Sequence, residues 1–245
     1  GENASHMESW IAVEINRVTD EAKAALLEGL DRVLNDVRAA VEDWPKMRQR
    51  ARQIAESLDQ VANPAQIAEL RQAQDLLHWL DDGNFTFLGY REYDLVNVDG
   101  EDVLELREDS GLGLLRASAD SPHIQHLTDT GRKKAREKRA LVITKANSRS
   151  TVHRSAYLDY IGVKSFDAKG NVNGERRFIG LFATSAYTGS VRDIPIVREK
   201  VDAVLRSAGF PPDSHSGKDL LGILETYPRD ELFQIEIPDL AATAL

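Results

Sequence analysis

Arg139-Ala-Leu-Val-Ile-Thr-Lys-Ala-Asn-Ser-Arg-Ser-Thr-Val-His-Arg154 is the stretch from which the rest of the chain can be ordered. Ala140 to Thr144 is short, apolar and β-branched, which predicts a strand buried on at least one face. It breaks into a polar run with turn formers and two cations, Lys145 to Ser150, and closes on His153-Arg154. Two readings follow. Cations and hydroxyls delivered to a strand end can bind an anion through charge-assisted, bidentate arginine bonds. The same residues can equally form a solvated loop. Lys145, Ser148, Arg149, His153 and Arg154 are the candidate effector or interface residues.

Working outward, the pattern has period two from Phe85. Phe85 to Leu95 reads as a strand, and Asp99-Gly100 as a hairpin turn into a strand from Asp102 to Arg107. Strands are also expected over Ala140–Lys145, Tyr157–Ser165 and Arg176–Thr184, the last two joined by the turn Asp167-Ala-Lys-Gly170. Five strands joined mostly by hairpin-length turns predict a mainly antiparallel sheet. Gly111 to Leu115 has no assigned type, Ser118 to Gly131 reads as loop, and Arg132 to Arg139 reads as a basic helix or a solvated connector.

Upstream, residues 19–82 read as helical. Thr19 or Asp20 caps a helix whose stripe is Leu26, Leu30, Val33, Leu34, Val37, Val41 and Trp44. Pro45 is expected to end it and open a second helix carrying Met47, Ala51, Ile54, Leu58 and Val61. Asn63-Pro64 should cap a third, stopped by Asp81-Asp-Gly83. Downstream, Asp193-Ile-Pro opens a helix closed by Gly209, Ser216 with Asp219 caps another, and Phe233 to Ile237 reads as a strand. The fold class is therefore α+β, a helical N-terminal segment and a five-stranded sheet over residues 83–212 with flanking helices. Gly1 to Met7 reads as a tag scar. Residues 8–18, alternating through Ile11, Val13 and Ile15, read as a strand of a truncated upstream module. Residues 213–245 read as a segment leading to the next module, ending without a stop signal.

At 245 residues the chain can bury about 70–75% of its unfolded surface, so it needs no disulfide or metal to hold it. It has no cysteine, which removes thiolate catalysis and fits a reducing cytoplasm. A net charge of −9 argues against a general nucleic-acid binder. Gly131 to Arg154 nevertheless carries a local +8. No apolar run approaches the roughly 20 residues of a membrane span.

Motifs for chemistry are weak. The glycine pair Gly111-Leu-Gly113 would need a third glycine where Arg116 stands, and Gly217-Lys218 lacks the upstream glycine of a phosphate loop. His123 and His126 have no carboxylate at metal-ligand spacing. Ser150 or Ser155 with His153 and Asp159 or Glu175 lacks the spacing of a nucleophile elbow. No lysine stands in a convincing apolar pocket. No catalytic, cofactor-binding or metal residue is assigned.

Long strings carry a resemblance. Leu141 to Arg154, Asn84-Phe-Thr-Phe-Leu-Gly-Tyr-Arg-Glu-Tyr93, Arg177-Phe-Ile-Gly-Leu-Phe-Ala-Thr-Ser-Ala-Tyr187 and Val41-Glu-Asp-Trp-Pro-Lys-Met47 are similar to the N-terminal regulatory half of the large bacterial NAD-dependent glutamate dehydrogenases. The resemblance runs from about Glu8 onward. It implies a PAS-like or ACT-like sheet and a dehydrogenase domain well downstream; five strands with hairpin connections fit PAS-like better than the βαββαβ order of ACT modules. It also implies no cofactor in this region but NAD in the parent, and other domains and subunits of the same homo-oligomer as partners. A small anionic or amino-acid effector is a further implied partner; nucleic acid and membrane are not.

Overall fold

A computed structural model describes residues 10–58, 67–116, 122–211 and 214–244. The first helix, α1, runs from Asp20 to Leu58. The Thr19 hydroxyl accepts the Ala22 N–H at 3.2 Å, and Asp20 and Glu21 sit in the first turn. Pro45 lies inside this helix, so the expected break does not occur. Proline forfeits one backbone bond and costs about 3 kcal/mol in a helix interior. Anchors on either side offset that cost. Met47 is fully buried, and the buried Asp43 carboxylate accepts from Gly113 N–H at 2.9 Å, Arg116 Nε at 2.6 Å and Lys46 Nζ at 3.0 Å. The Arg116 hydrogen bond, against the cost of burial, holds this carboxyl well below the usual range.

The second helix, α2, spans Ile67–Trp79 and ends in a wide turn at Leu80–Asn84, where Gly83 adopts φ +86°. Its expected cap at Asn63-Pro64 lies outside the described residues, as does Val61. Residues 10–19 form no strand, and Trp10, Ile11, Val13 and Ile15 are exposed. An isolated strand has no ladder to satisfy its backbone, and none of the described strands adjoins this one.

The strands are β1 (Phe85–Val98), β2 (Glu101–Leu106), β3 (Leu112–Gly113), β4 (Ile124–His126), β5 (Leu141–Arg149), β6 (Tyr157–Phe166) and β7 (Val172–Phe182). Their order is β4-β2-β1-β7-β6-β5 with β3 beside β1, and every pairing is antiparallel. The five expected strands are all present, and β3 and β4 are additional. Asp99 and Gly100 both take positive φ, as the β1–β2 hairpin requires. A bulge between Phe87 and Gly89 shifts the phase of β1, so Phe85, Phe87 and Tyr90 all reach the same core.

A basic helix, α3 (Asp129–Arg136), precedes β5, and α4 (Thr184–Thr188) follows β7. The remaining helices are α5 (Val197–Ala208), α6 (His215–Thr226), α7 (Arg229–Gln234) and α8 (Ile237–Ala244). The cap of α6 is Ser214, two residues before the expected Ser216; its hydroxyl accepts Gly217 N–H at 3.0 Å. Phe233 belongs to α7 and Ile237 to α8, so the strand expected there is replaced by two helices. The reason is packing: Leu232, Phe233 and Leu240 are buried in the main core with Val197, Val201 and Leu224. Three apolar residues at alternating positions, Phe233, Ile235 and Ile237, cannot outweigh a core reached at helical spacing.

That core is shared by the C-terminal half of α1, α2, α5 to α8 and one face of the sheet. A second cluster on Leu88, Leu158, Ile179 and Leu181 takes in Ala40 of α1, and a third gathers around Tyr93, Leu104 and Val172. Gly113 shows why the glycine pair near β3 is structural. It has φ +58°, and a Cβ there would lie 2.2 Å from the Leu88 carbonyl oxygen. Gly113→Ala is expected to destabilise the protein by more than about 2 kcal/mol, from left-handed strain plus the displaced strand, measurable in denaturant unfolding.

Candidate functional site

The expected cation cluster divides in two. Lys145, on β5, places Nζ 2.6 Å from Asp159 Oδ1 of β6 and 3.1 Å from Asp230 Oδ2 of α7. Arg154 donates to the Phe182 carbonyl at 3.0 Å and lies 5.8 Å from the centroid of the Tyr187 ring. The Tyr187 hydroxyl donates to Asp230 Oδ1 at 3.2 Å, so Lys145 and Arg154 approach the same tyrosine and carboxylate. Arg149 is separate, exposed at the far end of β5 and 5.1 Å from the Tyr157 ring centroid. Ser148 and His153 are also exposed, His153 with φ +70°. Ser150 is buried and donates its hydroxyl to the Val152 carbonyl at 2.6 Å, which leaves it no base to activate it.

Asp159 is the anchor of the first group. Its other oxygen accepts the Phe182 N–H at 3.1 Å, and burial pushes its carboxyl above the ordinary value against the pull of Lys145. Burial opposes the Lys145 charge, but the two carboxylates outweigh it and hold the ammonium above its ordinary value. These contacts bind α7 to the sheet.

Two further lysines do the same elsewhere, and sequence reading missed both. Lys164, 2% exposed, donates to the carbonyls of Lys134 and Glu137 at the end of α3. Lys200 donates to the carbonyls of Leu232, Phe233 and Ile235 at the end of α7, at 3.0, 3.0 and 2.7 Å. Burial lowers the pKa of each. Both ammonium groups satisfy helix C-terminal carbonyls and complement the dipole there. Lys164 follows Gly162-Val163 within a strand, and the only signal was a cation at an inward-facing position.

The basic helix is balanced by acids. Arg132 pairs with Glu101 at 3.3 Å, Arg136 with Asp102 at 2.5 Å and Arg139 with Glu236 at 3.1 Å. His123 Nε2 lies 3.4 Å from Glu105. Among the described residues no cluster of three metal-ligating side chains occurs, and no helix is long and apolar enough to cross a membrane. Arg177 is sandwiched between the rings of Tyr93 and Tyr160, at 4.4 and 5.0 Å, and bonded to Glu175 at 3.1 Å.

A cleft of about 1030 Å³ opens between α2, the end of α3, β5 and the helices α5, α7 and α8. Leu141 to Thr144 form one side, Ile196, Phe233 and Ile237 supply apolar surface, and Glu69, Glu199, Lys134 and Arg139 bring both signs of charge. Ile196, at the start of α5, holds φ +70°, an unusual conformation for a β-branched residue.

The architecture is thus an antiparallel sheet whose following helices are bolted to it by buried charges. The family profile "Glutamate dehydrogenase, helical motif 1" matches residues 194–245, the stretch that contains α5 to α8. The NAD-specific glutamate dehydrogenase of Halomonas elongata is 42% identical over 248 residues, covering 97% of this chain and 15% of that protein. Its counterpart in Pseudomonas aeruginosa is 38% identical over 242 residues, with the same coverage. That of Mycobacterium tuberculosis is 32% identical, covering 97% of this chain and 14% of that protein. Over nearly its whole length the chain is similar to the NAD-specific glutamate dehydrogenases, and it spans about 15% of the length of those relatives.

Lys145→Met should cost about 2–3 kcal/mol, less than the full cost of orphaning a buried charge because Lys145 is 35% exposed. Without the lysine the Asp159 pKa rises further. A raised carboxyl binds its proton more readily in the folded state, so the deficit shrinks as pH falls from neutral toward the range where that carboxyl takes up its proton. Thermal melts of both proteins across that range check this.

Proposed function

We propose that the chain is a regulatory and assembly module of a large, cytoplasmic NAD-specific glutamate dehydrogenase and carries none of its catalytic groups. On this reading the parent converts L-glutamate, NAD and water to 2-oxoglutarate, ammonium and NADH, with NAD bound elsewhere in the polypeptide. The observation that carries the assembly role is the outer half of α1. Leu26, Leu27, Leu30, Leu34 and Val41 are 42–67% exposed, whereas Met47, Ala51, Ile54 and Leu58 of the same helix are buried. Leu26, Leu30, Val33, Val37, Ala40, Trp44 and Met47 advance by four and three in turn, so one seam leaves the core and continues uncovered. Leu27, Leu34 and Val41 widen it by a line. That width suits a sheet or a helix bundle better than a two-stranded coiled coil. Its partner on this reading is another domain or subunit of the same enzyme.

The sheet supports the PAS-like reading over the ACT-like one. Its long strands follow one another as a hairpin, β1–β2, and a meander, β5–β6–β7, without the helix placement of a βαββαβ unit. A purely structural module with no small-molecule ligand is the second reading. It is favoured by the engagement of Lys145 and Arg154 in bonds within the chain. On the regulatory reading an anionic effector has Arg149, Ser148 and His153 as its exposed contacts.

The triple variant Leu26→Gln, Leu30→Gln, Leu34→Gln in the full-length enzyme tests the assembly role. It should change the mass of the oligomer or expose α1 to protease. In the chain alone its unfolding free energy should stay within about 0.5 kcal/mol per site, as for surface positions. Unchanged mass together with unchanged protection of α1 contradicts the proposal.

A further inference from the structure

We propose that the outer edge of β5, inside the cleft, receives an extended segment of the same polypeptide from outside these residues as an added strand. It rests on the assembly reading only in taking the remainder of the parent chain as the source of that segment.

The backbone directions can be derived. The Ala140 carbonyl accepts Lys164 N–H at 2.8 Å, and Val142 and Thr144 stand opposite Gly162 and Tyr160. In an antiparallel ladder the residues that bond to the neighbour alternate with residues whose N–H and C=O point away from it. Val142, Thr144 and the Ala140 carbonyl therefore face β6, the Ala140 N–H going instead to Glu69 Oε1 at 2.6 Å, and the backbone groups of Leu141 and Ile143 face the cleft. Among the described residues no strand pairs with them, since β5 ends the sheet.

Proteins blunt free edges with charge, proline, bulges, brevity or a covering helix or loop. Ala140 to Thr144 contains no charge and no proline, and the irregularity of β5 begins only after Lys145. The opposite edge of the sheet, β4, has three residues. Glu69 takes the Ala140 N–H at 2.6 Å and α7 packs against β5, which covers the edge in part, while the cleft-facing backbone groups of Leu141 and Ile143 have no strand partner among the described residues.

The cleft suits a narrow partner. Residues of α2, α7 and α8 line it together with β5, and a single extended chain needs only about 4.8 Å beside a strand. At about 1030 Å³ the cleft is at the upper end of ligand pockets, about 300–1,000 Å³, enough for several residues of peptide. Backbone bonds to Leu141 and Ile143 would supply affinity, and the apolar walls at Ile196, Phe233 and Ile237 would select alternate side chains. Length is available, since this chain covers 15% of the relatives it matches. The recess also lies at the seam between the sheet and the helical-motif segment, so its occupant would touch both.

The test places photoreactive p-benzoylphenylalanine at Thr144 of the full-length enzyme and maps cross-links by mass spectrometry. The expected product joins residue 144 to a peptide outside these 245 residues. Ile143→Pro, which removes a cleft-facing N–H and leaves the β6 ladder intact, should abolish that product, while Ile143→Ala keeps it. Cross-links confined to this chain or to the same strand of another copy, or no cross-link, would overturn the proposal. So would a product indifferent to the proline. If the proline variant does not fold, amide exchange decides. Leu141 and Ile143 should exchange more slowly in the full-length enzyme than in this chain, and equal rates refute the added strand. The α1 variants leave this readout untouched, so the two proposals fail separately.

Discussion

Phe182 is the contact on which the rest of the arrangement depends. Its ring stacks on Phe233 of α7 at 5.0 Å with 3° between planes, meets Phe85 of β1 edge-on at 5.5 Å, and lies 6.2 Å from Trp79 at the end of α2. Its backbone is held as tightly. The N–H donates to Asp159 and the carbonyl accepts from Arg154. Aromatic side chains bury 150–250 Å² each and add about 0.5–1.5 kcal/mol per well-placed pair. One residue at the end of the last strand therefore joins the upstream helices, the sheet and the helical-motif segment into a common core.

The buried charges follow the same logic. Burying an ion is costly unless it is paired or hydrogen-bonded. Here Asp43 receives β3 and its loop, Lys164 closes α3, Lys200 closes α7, and Lys145 with Asp159 and Asp230 ties α7 to the sheet. Each charge is satisfied by groups from a different element, so each fixes the position of one element on another. That is the chemistry of a rigid junction. On the proposed reading, the outer half of α1 and the edge of β5 are where such a junction meets other protein.

Much of this was legible in the sequence because period and turn chemistry are local. The five longer strands, the Asp99-Gly100 turn, the stop at Gly83 and the close of α5 at Gly209 follow from alternation and from residues that accept positive φ. β3 and β4, with two and three residues, are too short to show a period. Pro45 misled because its local cost is outweighed by Asp43 and Met47, whose partners are distant in sequence. The strand expected at Phe233 failed for a similar reason: its aromatic ring is claimed by Phe182. The cation cluster was visible as composition, but the carboxylates of Asp159 and Asp230 that engage Lys145 come from other elements. The resemblance in the long strings located the family where motif spacing could not.

Native-state amide exchange over a denaturant series tests most directly whether the sheet and the helical-motif segment are one cooperative unit. The account predicts that the slowest amides of β1, β7, α5 and α7 share a single opening free energy, and that Phe182→Ala lowers it for all four together. If α5 and α7 open at a much lower free energy while β1 and β7 stay protected, the junction is a loose tether. The common core described here would then be contradicted.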